Sequence, residues 1–363
     1  MEKIFLWGTG EIAKEVMGQF GLNAIETYEV LGFIDNDCRK HGQFFYHLPI
    51  YSPQILNTLD CDKIVILTDY FDAISKQITE NFPYKENQIK NKNFFCERAI
   101  LARYQYSCDE EIKEVISNIN KSGLTIFNYN YVNKYRHQEV YVEYDSECGM
   151  YFVIHNGKRM YFKRSFHSES IVRDYYRNLI SEQDEKSPHR YLDDSFKVES
   201  GDVVVDAGVA EGNFALDVID VSSKLYLIET DNEWIEALKK TFQPYNHKVV
   251  FIHKYLTSYN DGIYATLDSV IREPINFLKM DIEGNEWEAL KGSKKLLEKS
   301  KRLRCAICSY HTDYDEILIK EELIRQKLSC YVTNGYMWFP YLTQNRYIST
   351  TLHRGIVRGE RGY

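Results

Sequence analysis

The stretch that decides the fold is GDVVVDAGVAEG, residues 201–212. Its uninterrupted valines predict a buried strand over 202–206, and the glycines at 208 and 212 permit a tight turn into a helix over 213–218. Strands are apolar throughout when helices cover both faces of a parallel sheet. The stretch therefore predicts the first strand, turn and helix of an α/β domain.

The same alternation continues towards the end of the chain. Strands are predicted over 224–229, 248–252, 275–281 and 303–309 and twice more near the end, with helices over 233–242, 286–299 and 314–328. Alternating strands and helices imply right-handed crossovers and a parallel sheet. The pattern predicts a doubly wound sheet of seven strands, whose ligands bind beyond the carboxyl ends of the strands.

Acidic residues end the first two of these strands. Asp206 can engage an ammonium group, and Glu229 can accept hydrogen bonds from both hydroxyls of a ribose. A dinucleotide-binding loop needs a third glycine near position 213, where Asn213 stands, and Glu211 would repel a pyrophosphate. The pattern therefore favours S-adenosylmethionine, a cationic adenosine derivative that carries no phosphate.

The motif KMDIEGNE, residues 279–286, closes a later strand and opens a helix. Asp281 is expected beside the methyl donor, whereas Glu286 is a favourable acid at a helix N-terminus. His311 follows the next strand and is the candidate general base, because imidazole titrates near neutral pH and a sugar hydroxyl is a weak acid. Asp281 would orient His311 or, with Glu283, bind a divalent cation. No further ligand is evident, and we predict no metal site.

The first 100 residues form a smaller alternating unit. Strands are predicted over 3–7, 28–35, 63–68 and 93–96, with helices over 11–20 and 70–80. The turn GTGEIA, residues 8–13, follows a strand and opens a helix, so Gly8 and Gly10 can face a phosphate, and Asp35 stands where an acid would hold a ribose. The same glycines are also needed merely to make a tight strand-to-helix turn.

Between the two units lies a connection. An acidic-capped helix over 109–120 precedes a stretch rich in Tyr and Asn up to residue 145. Asn156-Gly157 then predicts a type I′ hairpin between strands 150–154 and 159–163, and a helix follows over 168–183. We predict domains at 1–105 and 149–363, joined by residues 106–148.

Composition excludes several functions. The 363 residues include 45 basic and 53 acidic side chains, a net charge of −8, which opposes nucleic-acid binding. No apolar run approaches the roughly 20 residues of a membrane span, so we expect a cytoplasmic protein.

Cys305 and Cys308 form the only C-x-x-C; on a strand they point to opposite faces, which predicts reduced thiols rather than zinc ligands. The 29 tyrosines suit stacking on sugars or bases, or core packing.

From residue 151 to 358 the chain resembles the FkbM-type family of S-adenosylmethionine-dependent methyltransferases. The resemblance rests on an ordered set of stretches: GDVVVDAGVAEGNFAL, the acid in LYLIETD, TLDSVI, FLKMDIEGNEWEALKG, CAICSYH, GYMWF and LHRGIVRG. It implies a class I methyltransferase fold, with the acceptor near Asp281 and His311. The cofactor-binding residues it implies are Asp206, Gly208, Glu211, Gly212, Glu229 and Asp281. EQDEKSPHRY, residues 182–191, also fits a bacterial subgroup and is expected to fold over the site.

The runs WGTGEIA and YEVLGFIDND, residues 7–13 and 28–37, resemble the N-terminal nucleotide-sugar-binding domain of bacterial sugar acyltransferases. No hexapeptide repeat follows, so the acyltransferase activity is not implied. This resemblance makes a nucleotide sugar the expected ligand of Gly8, Gly10 and Asp35.

The predicted function is S-adenosylmethionine-dependent O-methylation of a sugar or another intermediate of glycan biosynthesis. Two alternatives remain open at this point. One is an NAD(P)-dependent oxidoreductase that acts on a nucleotide sugar through the N-terminal turn, although the sequence offers no hydride-transfer site. The other is a non-catalytic nucleotide-binding module that keeps the fold without turnover.

Overall fold

The computed structural model describes residues 1–340 and 348–363. Contacts divide the chain into two compact units. Among the described residues, the first comprises residues 1–107, 119–124 and 348–350, and the second comprises residues 108–118, 125–340 and 351–363. Each unit has its own sheet and its own core, and the units are described separately.

The first unit is a six-stranded α/β sheet with strand order β3-β4-β2-β1-β5-β6, parallel except for β3. Its core packs Phe5, Trp7 and Ile34 against Ile64 and Ile78. Its elements are β1 (Lys3–Trp7), α1 (Glu11–Thr27), β2 (Glu29–Ile34), β3 (Phe44–Phe45), β4 (Leu48–Tyr51), β5 (Lys63–Ile66), α2 (Phe71–Asn81), β6 (Ile89–Lys90) and α3 (Phe94–Tyr104), with short 3-10 helices at Cys38–Lys40, Pro53–Asn57 and Pro83–Gln88.

The strand predicted at 93–96 is wrong. These residues begin α3, and the parallel strand beside β5 is the two-residue β6. The two phenylalanines suggest a strand because aromatic residues favour extended structure. The helix forms because Phe94, Phe95 and Ile100 bury one helical face in the core, which outweighs local propensity.

The second unit contains a seven-stranded sheet with order β12-β11-β10-β15-β16-β18-β17, in which β18 is antiparallel to both of its neighbours. This order is that of class I methyltransferases, so the predicted fold class is confirmed. The elements are α4 (Glu110–Ser122, which extends into the first unit), α5 (Val132–Arg136), β7 (Val142–Asp145), β8 (Met150–His155), β9 (Lys158–Tyr161), α6 (Glu169–Glu182), β10 (Val203–Ala207), α7 (Asn213–Val218), β11 (Lys224–Ile228), α8 (Asn232–Thr241), β12 (Val249–Ile252), β13 (Tyr255–Leu256), β14 (Tyr264–Ala265), α9 (Leu267–Val270), β15 (Phe277–Met280), α10 (Glu286–Lys291), α11 (Lys294–Lys299), β16 (Leu303–Cys308), α12 (Asp315–Arg325), β17 (Ser329–Val332) and β18 (Ile356–Arg361), with a 3-10 helix at Gln243–Tyr245.

Parallel pairing brings the carboxyl ends of the central strands to one edge. Strand β10 lies between β11 and β15, with Ala207 opposite Ile228 and Met280, and β16 pairs with the far side of β15. Apolar clusters cover both faces of this sheet, one containing Phe214 and Phe277 and the other containing Val205 and Leu278. The turns that follow β10, β11, β15 and β16 are therefore held together at the edge by two packed layers.

Two local predictions have different outcomes. The hairpin is confirmed: β8 and β9 pair antiparallel, and Asn156 and Gly157 adopt φ of 48° and 79°, as a type I′ turn requires. The single helix predicted over 286–299 is wrong, because it is interrupted at Gly292 and Ser293. A Cβ on Gly292 would lie 2.3 Å from the carbonyl oxygen of Thr257, so the close approach of a neighbouring loop fixes the break there.

In the part of the chain that the structure describes, every helix is too short or too polar to cross a bilayer.

Candidate functional site

A cavity of about 300 Å³ opens at the carboxyl ends of β10, β11 and β15. Its walls come from the turns that follow these strands and from α8. The lining includes Gly208, Glu229, Trp234, Tyr255, Asp281 and Glu283. The cavity lies where the doubly wound topology predicts a ligand site.

Gly208 lines this cavity and lies against the backbone of Asp281. Its φ is +74°, and a Cβ at this position would lie 1.7 Å from the backbone carbonyl oxygen of Asp281. No side chain fits in that space. Glycine is therefore required for the turn after β10 to pass beside the backbone that follows β15.

The carboxylate of Glu229 is fixed by the backbone around it. Its oxygens accept hydrogen bonds from the amides of Ala210 (2.9 Å), Thr230 (2.6 Å) and Asp231 (2.9 Å). A carboxylate has about four acceptor positions, so one remains for a ligand hydroxyl. Glu229 therefore stands at the cavity wall as an oriented acceptor, in the position that its sequence motif predicts.

Asp206 does not line the cavity. Its carboxylate is 1% exposed, and Oδ1 lies 3.1 Å from Nζ of Lys279, which also donates a hydrogen bond to the carbonyl of Gly208 (2.5 Å). Burial raises the pKa of Asp206 to about 6, although the ammonium of Lys279 opposes this shift. The ion pair of Asp206 and Lys279 thus holds the Gly208 turn in place. Asp206 itself does not reach the cavity and cannot contact a ligand there.

Glu211 and Gly212 also lie outside the cavity lining. Glu211 is 4% exposed and accepts a hydrogen bond from the hydroxyl of Tyr175 at 2.8 Å, and burial raises the pKa of its carboxyl. A Cβ on Gly212 would lie 2.9 Å from Leu238. Gly212 also has a φ of +87°, a left-handed conformation that favours glycine, so its role is in the turn that opens α7.

Asp281 is the side chain on which the polar groups of the site converge. Its oxygens accept hydrogen bonds from the hydroxyls of Tyr191 (3.1 Å) and Tyr310 (3.2 Å). Burial alone would raise the pKa of Asp281, but the charges of His311 and Lys279 outweigh it and lower this pKa to about 2. The carboxylate is thus ionised at neutral pH, and it reaches the cavity.

His311 is enclosed by carboxylates. Its side chain is 1% exposed, with Nδ1 3.4 Å from Oε1 of Glu286 and Nε2 3.5 Å from Oδ1 of Asp281 and 3.8 Å from Oε2 of Glu283. Burial disfavours the charged form, but Glu286 and the other two carboxylates raise the pKa of His311 to about 9. The imidazole is therefore a cation at neutral pH, when it has no free lone pair with which to accept a proton.

Sequence reasoning missed four residues around Asp281, namely His189, Tyr191, Lys279 and Tyr310. Nε2 of His189 lies 3.1 Å from the hydroxyl of Tyr310 and 3.8 Å from Oδ2 of Asp281. Burial lowers the pKa of His189 to about 4, so this imidazole is neutral. The available signal was the stretch EQDEKSPHRY, which contributes both His189 and Tyr191 to the surroundings of Asp281.

Two groups of described residues have the spacing of metal ligands, and both include Asp281. One group adds Glu286 and His311, and the other adds His189 and Cys308, with all ligand atoms of a group within 4.8 Å of one another. The first group contains the charged imidazole. The second lies beside the ammonium of Lys279, whose charge opposes a metal cation.

In the first unit, the polar groups of the turn that was predicted to bind a ligand are bonded to residues of the same unit. The carboxylate of Asp35 accepts a hydrogen bond from the Thr9 hydroxyl and lies 2.8 Å from Nζ of Lys40. A Cβ on Gly8 would lie 3.0 Å from the carbonyl oxygen of Leu67, whereas Gly10 has open space around it. Asp35 is thus engaged by its own unit, and no observation on the described residues favours a nucleotide sugar there.

The strand order, the glycine turn and the acid-lined cavity together define a domain of the class I methyltransferase type. Residues 224–326 match the family described as "Methyltransferase FkbM domain". The matched segment contains Glu229, Asp281 and His311, whereas Asp206 and Gly208 lie outside it. Residues 1–90 match a family described as "C2185-like, N-terminal". The resemblance of that unit to sugar acyltransferases is therefore not confirmed.

Comparison with solved structures gives several methyltransferases. A methyltransferase FkbM from Methylobacillus flagellatus KT has 18% identity and a TM-score of 0.44, over 99% of this chain and 90% of that one. A methyltransferase from Pyrococcus furiosus has 18% identity and a TM-score of 0.34, over 54% and 100%. A Streptococcus mutans protein crystallised with SAH has 17% identity and a TM-score of 0.32, over 46% and 91%. No curated protein matches the sequence.

Proposed function

We propose that this protein is an S-adenosylmethionine-dependent methyltransferase. The observation that carries the proposal is the cavity at the carboxyl ends of β10, β11 and β15, which is lined by Gly208 and by the backbone-oriented carboxylate of Glu229. Three carboxylates, from Glu229, Asp281 and Glu283, and one ammonium, from Lys254, line this cavity. A negatively charged wall attracts a sulfonium and repels the pyrophosphate of NAD.

The donor set fits the cofactor in two respects. Glu229 would accept a hydrogen bond from a ribose hydroxyl at its remaining acceptor position, and Gly208 would present backbone without a side chain to the ligand. When bound, S-adenosylmethionine supplies a methyl group that is transferred in line to a nucleophilic oxygen. The protein must align the acceptor and remove one proton.

We assign the proton transfer to Asp281 rather than to His311. Asp281 reaches the cavity and is ionised, whereas His311 carries a proton already and is enclosed by Glu286 and Asp281. A hydroxyl that gains a methyl group becomes a strong acid, so a carboxylate of low pKa is sufficient to take its proton. His311 then acts as a positioning cation that holds Asp281, and neutral His189, 3.8 Å from Oδ2 of Asp281, can share the proton.

We propose a hydroxyl of a sugar or of another glycan-pathway intermediate as the acceptor. The cavity that Asp281 reaches is also lined by the carboxylate of Glu283 and the amide of Asn285. These groups can hydrogen-bond the hydroxyls of such an acceptor. Mass spectrometry of glycan extracts from cells with and without the protein tests this assignment, with a mass difference of one methylene as the expected result.

Calorimetric titration tests the cofactor. S-adenosylmethionine and its demethylated product should bind, and NAD should not. The substitution E229Q should weaken binding by about 10- to 100-fold, because a charged hydrogen-bond acceptor contributes about 1.5 to 3 kcal/mol. The matched control is E236Q on α8, an exposed side chain bonded to Arg164. Binding of NAD, or equal affinity in wild type and E229Q, would overturn the proposal.

A further inference from the structure

A second and larger cavity, of about 830 Å³, opens at the carboxyl end of β17. It lies within the second unit and shares no lining residue with the cavity beside Gly208. Nothing in the proposed transfer chemistry uses it. Its size and the convergence of polar groups are typical of a ligand site.

Two stacked aromatic rings line this cavity. Tyr129 and Tyr131 stack with centroids 5.6 Å apart and an interplanar angle of 16°. The hydroxyl of Tyr129 donates to the carbonyl of Tyr336 (3.0 Å) and accepts from its amide (2.7 Å), which fixes the first ring. The pair is a pre-organised aromatic surface, which binds an apolar face at a low cost in side-chain entropy.

The charges around this surface balance. Arg358 pairs with Asp193, and Glu111 pairs with Arg354. Four further charged side chains line the cavity, two acidic and two basic: Glu114, Glu185, Lys186 and Arg190. The acidic side chains would repel a polyanion, and the polar walls disfavour a lipid. A neutral polyol can form hydrogen bonds with the donors and acceptors that line the cavity.

One short segment belongs to both sites. Ser187, Arg190 and Asp193 line the large cavity, while His189 and Tyr191 contact the Asp281 cluster. The carbonyl of Pro188 accepts a hydrogen bond from Thr333 (2.5 Å), which ties the segment to the end of β17. A ligand in the large cavity thus lies against the same segment that positions the polar groups at Asp281.

We propose that the large cavity is a carbohydrate subsite, which holds sugar units of an oligosaccharide acceptor next to the unit that is methylated. This inference rests on the proposed function and extends it, because it makes the acceptor an oligosaccharide rather than a monosaccharide. One sugar ring stacks its C–H face on the Tyr129–Tyr131 surface, and its hydroxyls bond to the surrounding amide, carboxylate and guanidinium groups.

Binding to an array of defined oligosaccharides of one to six sugars tests the subsite without turnover. We expect wild-type protein to bind a subset of chains of two or more units. Y131A should weaken the binding of these chains by about tenfold or more, because it removes an aromatic face on which a sugar ring stacks. Y131F keeps the ring and should bind like wild type, as should Y141A, which removes a 75% exposed tyrosine elsewhere in this unit.

A second variant distinguishes the loss of the subsite from a misfolding of Y131A. Asn130 is exposed and lines the cavity, so N130W obstructs the cavity without disturbing the core, and it should also abolish oligosaccharide binding. No binding by wild type, or equal binding by wild type and N130W, would overturn the inference. Titration with S-adenosylmethionine separates the two proposals: a protein that binds it but no oligosaccharide lacks the subsite, and one that binds oligosaccharide alone lacks the methyl donor.

Discussion

Nδ1 of His311 lies 3.4 Å from Oε1 of Glu286, and both side chains are buried. Glu286 also accepts a hydrogen bond from the amide of Ile282 at 2.7 Å, so its carboxylate cannot turn away. The contact joins the loop after β16 to the start of α10 and fixes the charge state of the imidazole. The stability of the domain should therefore depend on that charge.

The free energy of unfolding, measured at several pH values, tests whether His311 is charged in the folded protein. The pKa of His311 rises from 6.5 to about 9 in the folded protein. Because the folded pKa is the higher one, the stabilisation is complete below the unfolded pKa and is lost as pH rises through about 9, a difference of about 3 kcal/mol. Urea denaturation should show this decline in the wild type and not in H311Q. A parallel decline in both proteins would contradict the assignment.

Removing one member of the pair should cost more than removing both charges. H311Q leaves Glu286 buried without a counter-ion, and we expect a loss of about 3 to 5 kcal/mol in the free energy of unfolding. The double substitution H311Q/E286Q should recover most of this loss, because two neutral amides can hydrogen-bond to each other. A double-mutant cycle by chemical denaturation measures the coupling, and additive losses would show that the two side chains do not interact.

The rate of methyl transfer should be flat from about pH 6 to 8. Asp281 and His189 titrate near 2 and 4, well below this range, whereas a base at His311 would make the rate rise towards pH 9. The measurement is kcat against pH with the acceptor found by mass spectrometry. D281N should lower kcat by about 10²- to 10⁴-fold, and it should also weaken cofactor binding because it removes one of the carboxylates that line the cavity. A rate that climbs through pH 9 would restore His311 as the base.

The glycine turn offers a test of close packing. In G208A a Cβ would lie 1.7 Å from the Asp281 carbonyl oxygen, so the two turns must separate and S-adenosylmethionine binding should be lost. G201A is the matched control, because Gly201 also has a positive φ, of +87°, but has open space around it. Both variants carry the strain of a left-handed alanine, of order 1 kcal/mol. Equal binding by the two would show that the contact at Gly208 is unimportant.

The sequence was sufficient for the elements that follow from a local pattern. Asp281 and Glu229 were found because each ends an apolar run, and parallel strands end at a common edge. Lys279 was not found, since a lysine inside an apolar strand gives no hint that pairing places it opposite Asp206. That relationship depends on the register between strands that are distant in the chain, which no local pattern encodes.

The other differences between the predicted and the observed site also arise from contacts between residues that are distant in the sequence. His189 meets Asp281 only through the path of an irregular segment, and no periodicity predicts such a path. Phe94 and Phe95 are aromatic and locally favour a strand, but the burial of these side chains and of Cys96 and Ile100 in the core decides their structure. The charge of His311 likewise depends on its neighbours, because an isolated imidazole titrates near neutral pH and three carboxylates around it shift that value upward.

The segment around Pro188 lines the large cavity with some side chains and contacts Asp281 with others, and this has a thermodynamic consequence. Any occupant that orders the segment from one side lowers the entropy cost of ordering it for an occupant on the other. The two affinities are then linked, and linkage is reciprocal: the factor by which the first occupant strengthens the second equals the factor by which the second strengthens the first. Short stretches of this kind give a small domain cooperativity without a second subunit.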